Sequence, residues 1–202
     1  MPRGFNEQEK QKINQTLMEE GKILFSQFGL KKTSINELAK AAGIAPGSFY
    51  TFFNSKEELY FEIIEKEEES IKSTFINFDF SKFQDPKQAM KGLLLQTFSM
   101  IEENALFSQL LFENNHDTLL RKLPKEKLEA HFNKDSDTVA LVTSKWKQAG
   151  ILREIDDAVM AGLLRALFTM SLHKQEIGES VYPQTFELLV GFIVDGLIIK
   201  EG

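Results

Sequence analysis

Residues 29–60 read GLKKTSINELAKAAGIAPGSFYTFFNSKEELY, and their punctuation decides the local fold. Ser34 and Glu37 form an S-x-x-E box, in which each side chain satisfies an orphan backbone amide of the other, so a helix starts at Ser34. Ile35, Leu38, Ala39 and Ala42 follow at helical spacing and lie on one face. Gly43 ends that helix, because glycine takes the left-handed conformation of a helix stop without steric cost. After the Gly43-Ile44-Ala45 turn, Pro46 suits the first position of a third, short helix running to about Phe53, where its missing amide costs nothing. Ser55 with Glu58 repeats the box and launches a fourth helix.

Outward from this stretch the same period holds. A first helix is expected from about Asn6 to Phe28, with Ile13, Leu17, Leu24 and Phe28 tracing its apolar face and Gly29 stopping it. The fourth helix turns Leu59, Ile63, Ile64, Ile71 and Phe75 inward and leaves the run from Glu65 to Glu69 solvated. Further helices are expected from about Pro86 to Glu103, Leu106 to Lys122, Pro124 to Gln148, Asp156 to Ile177 and Pro183 to Ile199. No alternating tract framed by hairpin turns interrupts them, so the fold class is all-α. The last two helices are apolar on more than one side. Such a pair packs its own domain with one face and a partner with another, which points to a homodimer.

The composition narrows the class. Eighteen phenylalanines supply large apolar area for a thick core or for surface set aside for a ligand. The absence of cysteine excludes disulfides and zinc-thiolate sites and suits a reducing, cytoplasmic compartment. The N-terminus lacks a signal-like apolar stretch, and the greasiest segment, Leu188 to Ile199, is short and carries Asp195, so no membrane association is expected. The net charge of −6 is unevenly spread: residues 1–60 carry +1 and the remainder −7. Between Lys31 and Lys56 four lysines face Glu37 alone. A locally basic segment on an acidic chain fits a nucleic-acid contact confined to that segment.

Three short helices, the second and third joined by a glycine-containing turn, make a helix-turn-helix pattern, which places its last helix in the major groove of DNA. The residue detail adds specificity. A glycine after helix one, Thr33-Ser34 opening helix two, Ala42-Gly43 at the turn, Gly47-x-Phe49-Tyr50 in the third helix and then Phe53-x-Ser55-Lys56-Glu57 resemble the signature of the tetracycline-repressor (TetR) family. The resemblance covers residues 8–60. It implies Thr33, Tyr50 and Lys56 as phosphate contacts, Pro46, Gly47, Ser48 and Thr51 as groove-facing residues, and Phe49 and Phe53 as core. The chemistry agrees: Lys56 sits at a helix N-terminus, where free amides already favour a phosphate, and Gly47 lets backbone approach a duplex closely. The chain departs from the family's pattern at Pro46, where a basic residue is common, and at Phe52, where tyrosine or histidine is common. Both departures remove polar contacts.

The domain expectation is a helix-turn-helix head over 1–55 and a ligand-binding and dimerisation body over 56–202. Within the body, Leu94, Phe98, Phe107, Leu111, Trp146 and Phe168 are candidate pocket walls, with Gln109, Asn115, His116 and His173 as polar orienters. The same residues suit a plain core. The expected partners are a double-stranded palindromic operator, a small apolar or amphipathic effector and a second copy of the chain. No cofactor is expected, and no enzymatic motif emerges: there is no G-x-S-x-G elbow, Walker loop or dinucleotide fingerprint. Glu113-x-x-His116 has the spacing of a di-iron bundle ligand pair, but such a site needs two, and neither His131 nor His173 has a carboxylate three residues before it. A helical dimerisation scaffold without effector remains the other non-enzymatic reading.

Overall fold

A computed structural model describes residues 5–112, 119 and 121–199. The fold is all-helical, with α1 (Glu7–Lys32), α2 (Ile35–Ala41), a 3-10 helix (Pro46–Thr51), α3 (Lys56–Ile76), α4 (Pro86–Glu103), α5 (Ala105–Phe112), α6 (Lys125–Gln148), α7 (Asp157–Leu172), the single turn α8 (Lys174–Ile177) and α9 (Tyr182–Leu197). The described residues contain no strand, only an isolated antiparallel bridge between Leu152 and Ile198. Packing divides the chain into a first unit of Met1–Glu69 with Asn104–Pro124 and a second of Ser70–Glu103 with Lys125–Gly202. This division runs through α3 and returns a later segment to the first unit, whereas the functional boundary expected at residue 55 follows the motif.

In the first unit, Asn6 and Glu9 cap α1 reciprocally: the Asn6 amide donates to Glu9 Oε2 at 2.8 Å and the Glu9 amide to Asn6 Oδ1 at 2.9 Å. The buried seam of α1 is Leu17, Gly21 and Phe25, each four residues apart, while Phe28 is 48% exposed. The expected face through Leu24 and Phe28 is therefore rotated by one position. The reason lies at Gly21. A Cβ there would stand 3.0 Å from Ile63 Cδ1 and 3.2 Å from Leu59 Cδ2, so α3 comes in close where α1 has no side chain. Glycine adds nothing to an apolar periodicity, so the pattern misses the line it occupies.

Gly29 does end the regular part of α1, at φ +79°, but the chain makes one more turn through Lys32 before Thr33. The α2 stop is a Schellman closure: Ile44 N–H donates to Ala39 O at 2.9 Å and Gly43 N–H to Lys40 O at 3.1 Å, with Gly43 at φ +69°. On α3, Leu59, Ile63 and Ile64 are buried as expected, joined by Tyr60. The Tyr60 ring meets Phe25 edge-on at 5.1 Å, and its hydroxyl donates to the Leu106 carbonyl at 2.8 Å. Asn104 caps α5 by accepting from the Leu106 amide at 2.9 Å, and Gln109 Nε2 donates to Ser26 O at 2.9 Å, tying α5 to α1.

The second unit closes over one apolar core to which α4 supplies Leu93, Leu94 and Phe98, α6 supplies Val142 and Trp146, α7 supplies Met160 and Leu167, and α9 supplies Phe186, Val190 and Val194. The helix expected from Asp156 to Ile177 breaks at His173, whose φ and ψ of −109° and 37° leave the helical region, and Gly178 at φ +106° ends the turn after it. Tyr182 begins α9 with its phenol pushed up from the ordinary tyrosine range by burial and then by the Glu102 carboxylate that accepts its hydroxyl at 3.3 Å. No described helix is long and apolar enough to cross a membrane.

Replacing Tyr60 by phenylalanine removes the hydroxyl from a buried carbonyl and keeps the ring, so the expected loss is about 1–2 kcal/mol of stability. Urea unfolding with an unchanged m-value measures it.

Candidate nucleic-acid interface

Six residues of 3-10 helix cannot hold themselves in water, since a nucleus of this length costs more than its hydrogen bonds return. Side-chain anchors supply the difference. Phe49 is fully buried and Phe53 nearly so, their ring centroids 5.9 Å apart. The backbone closes by three-residue steps, Ser48 N–H to Ala45 O at 2.8 Å and Phe52 N–H to Phe49 O at 2.9 Å. The third helix of the motif is thus a 3-10 helix over Pro46–Thr51 and not an α-helix to Phe53. Its turn of three residues matches a segment tied down by one aromatic near its middle.

With Phe49 pointing inward, Pro46, Gly47, Tyr50 and Thr51 are exposed, and Ser48 is half-buried. Tyr50 is 59% exposed, braced edge-on by the Phe49 ring at 5.8 Å. A Cβ on Gly47 would meet nothing within 4 Å, and its φ lies outside the left-handed region, so neither packing nor backbone requires glycine there. Phe52 is half-buried and packs on Phe5 with ring centroids 5.9 Å apart, which gives this departure from the family's pattern an intramolecular use.

The capping box at Ser34 is complete. Glu37 Oε2 accepts from the Ser34 amide at 2.8 Å, and the Ser34 hydroxyl accepts from the Glu37 amide at 3.3 Å. The bonds from Ser34, backbone and then side chain, hold the Glu37 carboxyl below the usual carboxylate range, with a smaller contribution from the Lys56 charge. The second box is half made: Ser55 accepts from the Glu58 amide at 3.1 Å, while the Glu58 carboxylate reaches one residue further back to the Asn54 amide at 2.8 Å.

Two of the residues expected to contact phosphate are engaged within the chain. Thr33 is 1% exposed, and its hydroxyl donates to Gly29 O at 2.9 Å, so its side chain secures the kink after α1 instead of facing a duplex. Lys56 Nζ donates to the carbonyls of Leu30, Lys31 and Thr33 at 2.6, 3.2 and 2.7 Å. An ammonium has three protons, and here all three are engaged within the chain. The exposed cations of this face are Lys31, Lys32 and Lys40. A shallow cleft is lined by Ser34, Asn36, Tyr50, Asn54, Lys56 and Lys122, and Lys122 donates to the buried Glu57 at 2.7 Å. Lys122 carries no local sequence signal, because 65 residues separate it from its partner.

The expected effector residues that are described fall into two groups and an exposed site. Phe107 and Gln109 belong to the first unit, and Gln109 is occupied with Ser26. Leu94, Phe98 and Trp146 are core of the second unit, with Phe168 packed against it, and His173 is exposed beside Glu176 at 3.4 Å. Asn115, His116 and the side chain of Leu111 lie outside the described residues.

A family model of bacterial regulatory proteins, the tetR family, matches residues 17–63. The HTH-type transcriptional regulator AcrR of Shigella flexneri is 31% identical over 108 residues, covering 52% of this chain and 50% of that protein. The chain spans about half the length of the curated relatives it matches first. Among solved structures, a TetR-family transcriptional regulator from Pectobacterium atrosepticum superposes with a TM-score of 0.73 at 14% identity, covering 98% of this chain and all of that one. RolR in complex with resorcinol superposes with a TM-score of 0.62 at 15% identity, covering 93% and 90%. Identities this low show the fold alone. The capping box, the glycine stop, the Phe49 anchor and the outward Tyr50 all fall within the matched segment, and over that segment the chain is similar to the tetR family of bacterial regulatory proteins.

Proposed function

We propose that this protein is a cytoplasmic, ligand-responsive transcriptional repressor that binds a palindromic operator as a homodimer and leaves it when a small apolar or amphipathic effector binds. The observation that carries the reading is the short 3-10 helix. Phe49 holds it from inside, while Pro46, Gly47, Tyr50 and Thr51 face out and Gly47 has no reason in the fold to be glycine. A residue kept bare where the protein itself has room is explained by close approach from outside, and the approaching surface is a DNA groove. Lys31, Lys32 and Lys40 flank it as the cations that meet phosphates.

The dimer reading rests on α7 and α9. Val159 on α7 and Leu188 and Phe192 on α9 are more than half exposed, Phe192 at 69%. Gly191 and Gly196 have open space where a Cβ would be. The four-residue step from Leu188 to Phe192 puts both on one outward strip, opposite the buried Val190, Val194 and Leu197. A self-complementary apolar strip suits a two-fold partner of the same sequence, which would set two heads on successive turns of a duplex.

The effector reading rests on Trp146. It is 4% exposed, and its indole N–H is buried without a hydrogen-bond partner among the described residues. Buried donors are nearly always paired, so an unpaired one inside a phenylalanine-rich core suits a ligand acceptor that would enter there. By linkage the effector must bind the DNA-incompetent state more tightly, and the similarity in fold to a resorcinol-bound protein is compatible with a small aromatic molecule.

Gly47→Ala is expected to leave the melting temperature unchanged or slightly higher and to weaken binding to a DNA fragment selected by the wild type by about 1–3 kcal/mol, the cost of overpacking a tight contact. Unchanged affinity refutes the groove assignment. Phe192→Arg is expected to turn a dimer into a folded monomer by light scattering, because the substitution falls on a side chain already outside the core. A wild type that is monomeric at micromolar concentration removes the dimer reading. Trp146 is the chain's single tryptophan, so its emission reports on the core directly. A phenolic or apolar compound that raises the melting temperature and releases DNA is expected to shift that emission in the same concentration range. Compounds that do both without touching the emission place the effector elsewhere.

A further inference from the structure

The end of α1 poses a hydrogen-bonding problem. The last carbonyls of any helix lack intrahelical partners, and here the left-handed kink at Gly29 swings Leu30 and Lys31 away from the regular ladder. Three residues later Ser34 starts α2. The joint is therefore a short backbone corner whose carbonyls converge, and the Thr33 amide answers that of Gly29. Thr33 fills part of the corner with its hydroxyl on Gly29 O, and both Thr33 and Leu30 are buried. The remaining carbonyls, of Leu30, Lys31 and Thr33, all lie within 3.2 Å of one nitrogen, Lys56 Nζ.

We infer that Lys56 is a positioning residue for DNA binding: its ammonium clamps the corner between α1 and α2 and thereby fixes where the 3-10 helix sits, without itself touching a phosphate. Lys56 is the first residue of α3, so the clamp joins the start of α3 to the start of α2. The chain between those two points, residues 34–55, is α2, the Gly43 turn and the 3-10 helix. Pinning both ends of that loop leaves the exposed residues Pro46, Gly47, Tyr50 and Thr51 one placement relative to α1. The charge also serves electrostatically, since a cation opposite the negative end of α1 is favourable there. A single nitrogen among converging carbonyls is a site for a compact point charge. A planar guanidinium spreads its donors over a fork and suits a phosphate as well as an ammonium does or better.

The inference rests on the DNA-binding reading for its effect but not for its geometry, and the experiment separates the two. Lys56→Met keeps the unbranched stem and removes the ammonium, and Lys56→Arg keeps the charge and changes its shape. Both are measured on the full chain well below the melting range, against the DNA fragment selected by the wild type, as a function of salt, together with hydrogen exchange of the amides of Lys32 to Leu38. If the unclamped head holds the binding geometry in about one molecule in ten, affinity falls about tenfold at every salt concentration. The slope of log affinity on log salt is expected to stay that of the wild type for both variants, the amides are expected to exchange faster, and Lys56→Arg is expected to remain impaired. A slope shallower by about one in Lys56→Met identifies a phosphate contact and overturns the inference. So does restoration of wild-type binding by Lys56→Arg. Lost stability with unchanged affinity in folded protein reduces Lys56 to a structural residue and also overturns it. Should the wild type bind no DNA, the functional reading fails, and the exchange rates still decide whether the clamp exists.

Discussion

A buried phenylalanine at position 49 is the constraint on which the head depends. The segment that carries the exposed Pro46, Gly47, Tyr50 and Thr51 is six residues long and has neither the length nor the propensity to be helical alone. Burying a phenylalanine side chain is worth about 1.5–3 kcal/mol, enough to offset the nucleation of one short helix. Because Phe49 is the inward residue, its neighbours are assigned their directions without further instruction. Tyr50 must leave the core at once and is braced on the ring beside it. The same anchor explains the change of helix type. Three residues per turn let one anchored side chain define the segment, whereas an α-helix would need a second apolar turn that Gly47 and Ser48 do not provide.

The second constraint is the close approach of α1 and α3 at Gly21. With Ile63 and Leu59 filling the space of the missing side chain, the seam runs through Leu17 and Phe25 and leaves Phe28 half outside. Phe25 in turn meets Tyr60, whose hydroxyl donates to the Leu106 carbonyl in the first turn of α5. Three helices from distant parts of the chain are thus fastened within one unit by a glycine, an aromatic edge and one buried hydrogen bond. The polar groups involved are satisfied, as buried groups must be.

Charge is organised on the same plan. The chain is acidic overall, yet the only acid between Lys31 and Lys56 is Glu37, and it is committed to Ser34. The lysines there divide by role. Lys31, Lys32 and Lys40 stand in solvent, and Lys56 turns inward to carbonyls. A count of charges along the sequence weighs all four equally, though only the exposed three present free cations to an approaching polyanion.

Much of the fold was legible because its signals are local. The Ser34 box, the Gly43 stop, the Pro46 start and the burial of Phe49 and Phe53 all depend on residues within four positions of one another, and each stands as the sequence indicates. The all-helical class followed from periodicity for the same reason. What failed depended on groups far apart in the chain. The α1 seam was misplaced because Gly21 draws its meaning from Ile63, and nothing near Thr33 or Lys56 in the sequence reveals the carbonyls that each bonds. The supposed effector residues dispersed because apolar composition does not say which core a side chain joins: Phe107 went to one unit and Phe98 to the other. Sequence alone therefore determined where helices begin, end and turn apolar faces, since those follow from bonds within a turn. Tertiary structure decided which donors and cations remain free for a partner, since a hydrogen-bonding group is available only after the whole chain has taken its share.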